Sequence, residues 1–413
     1  MRLPLLLLFA VLPVRLEAQG IDCDGYLSQL SVPAGFCVRL FADRVGAVRH
    51  VVVHPTGTVV AATKSSPGLL RLEDRDGDGR ADSTIAFGPG EGGSGVAWRD
   101  GWLYFASDSA IYRYHWPATA RVPDGEAEMV ANHLPVAGNG WAHNAKGIAF
   151  GRDGSLYVSY GSASDNCQLD EEMRSRGKFP CPDLRNRAGV WRLAAPADGK
   201  GEWKQTRMAT GLRNAMALGV DPRTGRVWAI SHGRDFLGKV WGWSAEESAM
   251  QPAEILAEIK PGLDYGWPYC MGRYATTGTT VVPAPEYLGL TAPETRCANK
   301  TPPAGGFPGH WAPMAVAFPP ASWPVGWSQG MVIAFHGSRS RAPLREDGHY
   351  VVLLPTNALG DPAGEPRILL RSLGPVGSIR PAGVAFAPSG ILYVTDDDHG
   401  RIYRVEPHPP ARR

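Results

Sequence analysis

The chain has 413 residues, a formal charge of +2, 20% charged residues and 44% hydrophobic ones. Neither sign of charge dominates any long stretch, which argues against a nucleic-acid footprint or a polybasic membrane-surface patch. Its 50 Gly and 36 Pro, with no long amphipathic helical pattern, point to a turn-rich β protein.

The N-terminus reads as an export signal over residues 1–18. Arg2 precedes the apolar run Leu3–Pro13, and Leu16-Glu17-Ala18 ends in a small residue suited to cleavage. That run is too short to span a bilayer comfortably, and no later segment qualifies. A soluble periplasmic or secreted protein is therefore expected. The six cysteines all follow the signal, in a compartment that favours disulfides. Proximity in sequence selects Cys23–Cys37, Cys167–Cys181 and Cys270–Cys297. The alternative is that some thiols stay free and buried. No Cys-x-x-Cys-His occurs, so the chain itself carries no attached c-type haem.

Six segments repeat one plan, an apolar strand, a turn rich in Gly, Pro or Asp, and a second apolar strand. They are Arg49–Thr63, Ser94–Ser107, Lys146–Tyr160, Ala215–Ser231, Met314–Gly337 and Ala382–Thr395. Further strand-like pieces follow several of them, at Ala110–Tyr114, Ala188–Leu193 and Arg401–Val405. Each unit alone would leave an apolar face open, and radial packing covers it. The expectation is an all-β, six-bladed β-propeller, one domain over 19–413 with its core at about 30–405. A β-sandwich or two smaller β domains is the alternative. Long insertions at 165–186 and 265–313 hold two of the expected disulfides, and long loops in a compact domain usually serve function.

Candidate chemistry gathers at the ends of these hairpins. His143 stands just before the third, and the polar loop Gly161–Asn166 leaves its second strand, so a proton acceptor and a Ser/Asp/Asn cluster emerge at one end. Arg213 and Asn214 precede the fourth hairpin. Arg213 could hold an anion bidentately, or simply pair with a neighbouring blade. Arg380 precedes the sixth, His50 opens the first, and His336 to Arg339 close the fifth. Glu254 with the carbonyls of Gly233 and Tyr265 could supply oxygens to calcium, or form a turn cluster. Asp74, Asp76, Asp78 and Asp82 are spaced like the start of an EF-hand loop. Ile85 at the twelfth position leaves either a structural calcium or an acidic turn, not a sensor. Nucleophile-elbow, zinc-spaced histidine, P-loop and dinucleotide motifs are absent.

With these residues in view, the chain resembles the glucose/sorbosone dehydrogenase family, soluble sugar dehydrogenases that use pyrroloquinoline quinone (PQQ). The likeness runs from about Val32 to Val405. It rests on VPAGFCVRLFAD, on His143 with GIAFGRDGSLYVSYGS, on GLRNAMAL, and on HGRD with KPGLDYGWPYC. It continues through IAFHGSRSRAP and IRPAGVAFAPSGILYVTDD, closest to the sorbosone-type branch. The resemblance implies His143 as general base and Arg213 beside the quinone oxygens. It implies hydrogen bonds to the cofactor from Asn214 and His50, with His336 close by. Arg380, Arg339 and Lys146 would meet its carboxylates, and calcium would sit around Gly233, Glu254 and Tyr265. A sugar or related alcohol would be the substrate, and a quinone or separate cytochrome the external electron acceptor. Ser162 stands where the family's glucose dehydrogenases carry the aspartate that orients the histidine, and Asp165 follows three residues on. The rival classes are a calcium-dependent propeller hydrolase of lactonase type and a non-catalytic propeller that binds carbohydrate or protein.

Overall fold

A computed structural model describes residues 21–22, 27, 29–170, 175–197, 199, 201–337, 339–375 and 377–408. The expected signal peptide and Cys23 lie outside the described residues. The strands form six sheets of four or five strands, and one separate two-stranded sheet. Each of the six runs antiparallel from an innermost strand outward, apart from the two-residue edge strands Ile21–Asp22 and Leu263–Asp264, which pair in parallel. In order, the innermost strands are Val48–Val53, Gly93–Arg99, Ile148–Phe150, Ala217–Val220, Pro313–Ala317 and Pro381–Phe386. Consecutive ones touch, and the sixth touches the first, so the sheets close into a six-bladed β-propeller.

The six hairpins are the two inner strands of each blade. In the third blade Ile148–Phe150 pairs with Leu156–Tyr160 across the turn at Gly151–Gly154. Glycine lets the innermost backbones approach. A Cβ on Gly147 would collide with the carbonyl of Met216 in the next blade, and one on Gly383 with that of Arg49. Below the site, Val51, Val96, Ile148, Leu218, Val316 and Val384, one from each blade, line a central cavity of about 180 Å³.

The N-terminal segment closes the ring. Phe36–Ala42 is an outer strand of the sixth blade, antiparallel to Arg401–Pro407, and Leu30–Ser31 adds an edge to the fifth. Phe36 anchors it, with its ring 5.1 Å from that of Trp323 and 5.2 Å from that of Trp327.

The insertions are more structured than loops. The second, expected to start at Tyr265, contributes the hairpin Cys270–Ala275 and Gly278–Pro283, the helix Pro293–Ala298 and the fourth strand of the fourth blade, Gly305–Phe307. Gly305 and Gly306 carry no alternating pattern, which hid that strand. Disulfides Cys167–Cys181 and Cys270–Cys297 are present, and Cys37 is also disulfide-bonded. The two insertions pack on each other. Tyr287 donates to the Asn166 carbonyl at 3.0 Å, and Cys181 N–H donates to the Tyr269 hydroxyl at 2.7 Å.

Ring closure through Phe36 makes a stability prediction. Phe36→Ala should lower unfolding free energy by about 3–5 kcal/mol, read as an earlier denaturant midpoint. A midpoint equal to that of the wild type would show that the closing strand is not part of the cooperative unit.

Candidate active site

The starts of the innermost strands and the ends of the second strands share one face of the ring, so groups far apart in sequence meet there. His143 is held by the residue that ends the third hairpin. Its Nδ1 lies 3.2 Å from the Ser162 carbonyl and 3.0 Å from the Ser162 hydroxyl, which itself donates to the Ser164 carbonyl at 2.5 Å. A carbonyl only accepts, so Nδ1 carries the proton and Nε2 the lone pair. Burial, with the positive field of Arg213 behind it, holds the imidazole well below its ordinary pKa of 6.5. His143 is therefore neutral, with a defined tautomer.

Asp165 holds Arg213 rather than His143. Nη2 of Arg213 meets Asp165 Oδ1 at 2.5 Å and Asp235 Oδ2 at 3.3 Å, while Nε donates to the Asp165 carbonyl at 2.9 Å. Nη1 donates to the Gly233 carbonyl at 2.6 Å. Burial opposes the charge, but Asp165 and Asp235 outweigh it and keep the guanidinium protonated. Trp267 of the second insertion steadies the Asp165 carbonyl through Nε1 at 3.1 Å. Asn214 Nδ2 reaches His232 Nδ1 at 3.3 Å, and His232 Nε2 donates to the Pro313 carbonyl at 2.8 Å.

A second cluster joins the fifth, sixth and first blades around Asp397. Arg49 Nη1 meets Asp397 Oδ2 at 2.5 Å, Lys64 Nζ lies 3.6 Å from the same oxygen, and His336 Nε2 meets Oδ1 at 2.6 Å. Arg380 Nη2 donates to His336 Nδ1 at 2.8 Å. Two cations thus share the buried Asp397 carboxylate, and Arg380 lies 3.8 Å from Asp398 Oδ1. Burial and the Arg49 charge push the Lys64 ammonium down despite Asp397. Arg49 Nε is buried without a hydrogen-bond partner. His232 senses both Arg213 and His336, which ties the two clusters together.

The structure therefore brings His143, Arg213, Asn214, His50, His336 and Arg380 to one rim. It corrects Lys146. That side chain is fully buried, and its ammonium bonds the carbonyls of Asn144 and, at 3.2 Å, Pro135, so it staples the His143 loop and cannot face a ligand. Arg339 begins the 3₁₀ turn Arg339–Arg341, and its side chain lies outside the described residues. Two of the three expected calcium ligands, the Gly233 carbonyl and Glu254, have protein partners. The Gly233 carbonyl takes the guanidinium. Glu254 accepts the N–H groups of Gly233 at 2.9 Å and Ala312 at 3.2 Å, and the Tyr265 hydroxyl donates to the Glu258 carbonyl at 2.6 Å. Burial also raises Glu254 from 4.5 to about 7. Ligand oxygens of Asp74, Asp76 and Asp78 lie within 4.8 Å of one another, while Asp82 Oδ2 accepts the N–H of Arg75 at 2.5 Å.

Arg49, Lys64, His232 and Asp397 went unread in the sequence. One signal could have found most of them. Lys64, His232 and Asp397 come directly after the second strands of their hairpins, one residue nearer the strand than Ser162 in the third.

This arrangement defines a six-bladed propeller with a neutral imidazole and a ring of fixed cations at one channel mouth. A family profile described as TrAA12-like matches residues 30–408, and the chain belongs to that family. No curated protein sequence matches significantly. Among solved structures, a Trichoderma reesei carbohydrate-active enzyme of family AA12 is similar at 19% identity and TM-score 0.73, over 92% of this chain and 98% of that one. The holo PQQ domain of a Coprinopsis cinerea pyranose dehydrogenase aligns at 16% identity and TM-score 0.69, over 92% and 97%. A PQQ-bound aldose sugar dehydrogenase from Streptomyces coelicolor aligns at 18% identity and TM-score 0.55, over 91% and 99%. At these identities the likeness establishes the fold.

His50 provides a pH test. Its Nε2 donates to the Met314 carbonyl at 2.8 Å, and burial, only partly offset by that bond, lowers its pKa from 6.5 to about 4. The unfolded chain binds this proton first, so stability is fully present above pH 6.5 and falls as pH drops toward 4. The loss should reach about 3 kcal/mol. In His50→Gln, melting temperature should decline less steeply across that window. Equal slopes would show that His50 is protonated in the native state.

Proposed function

We propose that the protein is an exported, PQQ-dependent dehydrogenase that oxidises a sugar or related alcohol or aldehyde. Electrons would pass on to an external acceptor, a quinone or a separate cytochrome. The observation that carries this reading is His143. Its protonated Nδ1 is tied to Ser162, and its Nε2 has no protein partner among the described residues, beside a guanidinium fixed by four hydrogen bonds. Membership of the TrAA12-like family and the PQQ named in two neighbouring structures support it. The KPGLDYGWPYC and FHGS runs favour a sorbosone-type substrate within that class. The apolar N-terminal run and the disulfides favour export.

The residues fit a polyanionic quinone. Arg49 and Lys64 share the carboxylate of Asp397, Arg380 lies 3.8 Å from Asp398 Oδ1, and a buried guanidinium N–H of Arg49 lacks an acceptor, which leaves a cationic donor for an anionic group. These three cations would hold the cofactor's carboxylates, with Asn214 and His50 near its ring. When bound, the quinone supplies the two-electron acceptor for a hydride. The chain does the rest. His143 Nε2 would remove the proton of the substrate hydroxyl as the hydride leaves the carbon that bears that hydroxyl. Arg213 places permanent positive charge where negative charge develops, and it needs no reorganisation. Calcium does not fit the Gly233 carbonyl as it stands, because a cationic donor already occupies it. A hydrolase that rings a metal with carboxylates is disfavoured, because imidazole and guanidinium groups line this mouth.

Titrating the purified protein with PQQ, then assaying aldoses with a dye acceptor, tests the reading. His143→Ala should cut turnover by about 10²–10⁴-fold while PQQ still binds. Failure to bind PQQ would end the proposal.

Ser162 sets the pH range. Burial and the Arg213 charge hold the base unprotonated, and the neutral Ser162 at Nδ1 opposes them only weakly. Ser162→Asp puts an anion at Nδ1–H, and the acid limb of kcat/KM should move up by roughly 1–2 pH units. An unmoved limb in a folded variant would show that His143 is not the titrating base.

A further inference from the structure

His310 is buried one carboxylate away from Arg213. It lies on the connection between Gly305–Phe307, the outer strand of the fourth blade, and Pro313–Ala317, the innermost strand of the fifth. That connection is pinned at several points. Gly309 N–H donates to the Met250 carbonyl at 2.9 Å, Ala312 N–H donates to Glu254 at 3.2 Å, and the Ala312 carbonyl accepts the His336 N–H at 3.0 Å. Between these anchors His310 sits in the left-handed region at φ 66°, which a side chain keeps only where its surroundings demand it.

The imidazole meets an oxygen on each side. Nδ1 lies 3.2 Å from Asp235 Oδ1, and Nε2 lies 2.8 Å from the carbonyl of Ser248 in the helix Ala245–Met250. A neutral imidazole has a single N–H, so one of these contacts would set a lone pair against an oxygen. Both are favourable only when the ring carries two protons. Burial opposes that charge, but Asp235, Glu254 and the Ser248 carbonyl outweigh it and raise the pKa above 6.5.

Asp235 is shared. Its Oδ2 lies 3.3 Å from Arg213 Nη2, its N–H donates to Asp165 Oδ1 at 3.0 Å, and its carbonyl accepts Arg234 Nε at 3.0 Å. His310, Asp235, Arg213 and Asp165 therefore form a row of alternating charge. Two members of the row act on His143, Arg213 pushing its pKa down and Asp235 pulling it up. His232 feels the same pair.

We propose that His310 is a positioning residue for the reaction: as a fixed imidazolium it holds one oxygen of Asp235 and offsets its charge, so that Arg213 keeps its positive field and His143 stays neutral. The inference rests on the dehydrogenase reading and adds to it a residue that acts only through Asp235. Without the imidazolium, Arg213 would face Asp165 and Asp235 alone, and two carboxylates would outweigh one guanidinium.

The test has two readouts. In PQQ-loaded protein, His310→Gln should move the acid limb of kcat/KM up by roughly one pH unit and cut kcat about tenfold, with KM little changed. Adding Asp235→Asn should return the limb toward its wild-type position, because the charge that His310 offsets is then gone. A purely structural histidine would leave the limb in place and give additive losses. In cofactor-free protein, nitrogen NMR of the histidine rings should show both nitrogens of His310 protonated at pH 6.5, and His143 should titrate at higher pH in His310→Gln than in the wild type. If His310→Gln fails to fold, its melting curve shows it, and Asp235→Asn carries the comparison, where the His310 ring should titrate at lower pH. An acid limb that stays put in folded His310→Gln, a shift that Asp235→Asn does not reverse, or a neutral His310 ring at pH 6.5 would overturn the proposal. An unchanged His310 titration in Asp235→Asn would do the same. Failure of the protein to bind PQQ would overturn the dehydrogenase reading instead, and the nitrogen spectra would still decide the charge of His310 and its effect on His143.

Discussion

Everything at the channel mouth depends on the pairing of Phe36–Ala42 with Arg401–Pro407. A propeller blade has two apolar faces, and each needs a neighbour. Only a closed ring gives every blade two neighbours, and only closure brings the first innermost strand beside the sixth. Arg49 and Asp397, 348 residues apart, are a hydrogen-bonded pair because of it. The chain thus assembles its most highly charged cluster from its beginning and its end.

Within that frame the two halves of the site are built differently. On the third and fourth blades, the disulfide-bonded insertions cover the site and fix Asp165, which fixes Arg213 in turn. No freedom is left to the guanidinium, and burial, seconded by its field, keeps the neighbouring imidazole neutral. The fifth, sixth and first blades gather Arg49, Lys64 and Arg380 around Asp397 and Asp398. One half is suited to moving a proton, the other to holding an anion.

Much of this could be read from the sequence because a blade announces itself locally. Two apolar strands around a turn occupy some fifteen consecutive residues, and the inner strand must be apolar whatever the function. The residues before each hairpin, His143, Arg213 and Arg380 among them, are therefore legible as strand starts. Outer strands were harder. Asp124–Ala131 is exposed along most of its length, and Gly305–Phe307 is short and glycine-rich, so neither shows an alternating pattern. Lys146 was misread for a physical reason. A lysine beside a candidate base suggests an anion ligand, but two loop carbonyls inside the fold satisfy its ammonium. Asp397 lies in a run of three aspartates that looks like a solvated turn, and only its partners from other blades distinguish it.

The position of the Asp397 cluster has one further consequence. Arg49 and Lys64 lie on the N-terminal side of the break between Phe36–Ala42 and Arg401–Pro407, while Arg380 and Asp397 lie on the other. An anion gripped by all three cations would act as a clasp across the join, resisting the opening of the ring where covalent continuity is missing. Occupancy and mechanical integrity would then be coupled, and loading the site would lock the circle shut.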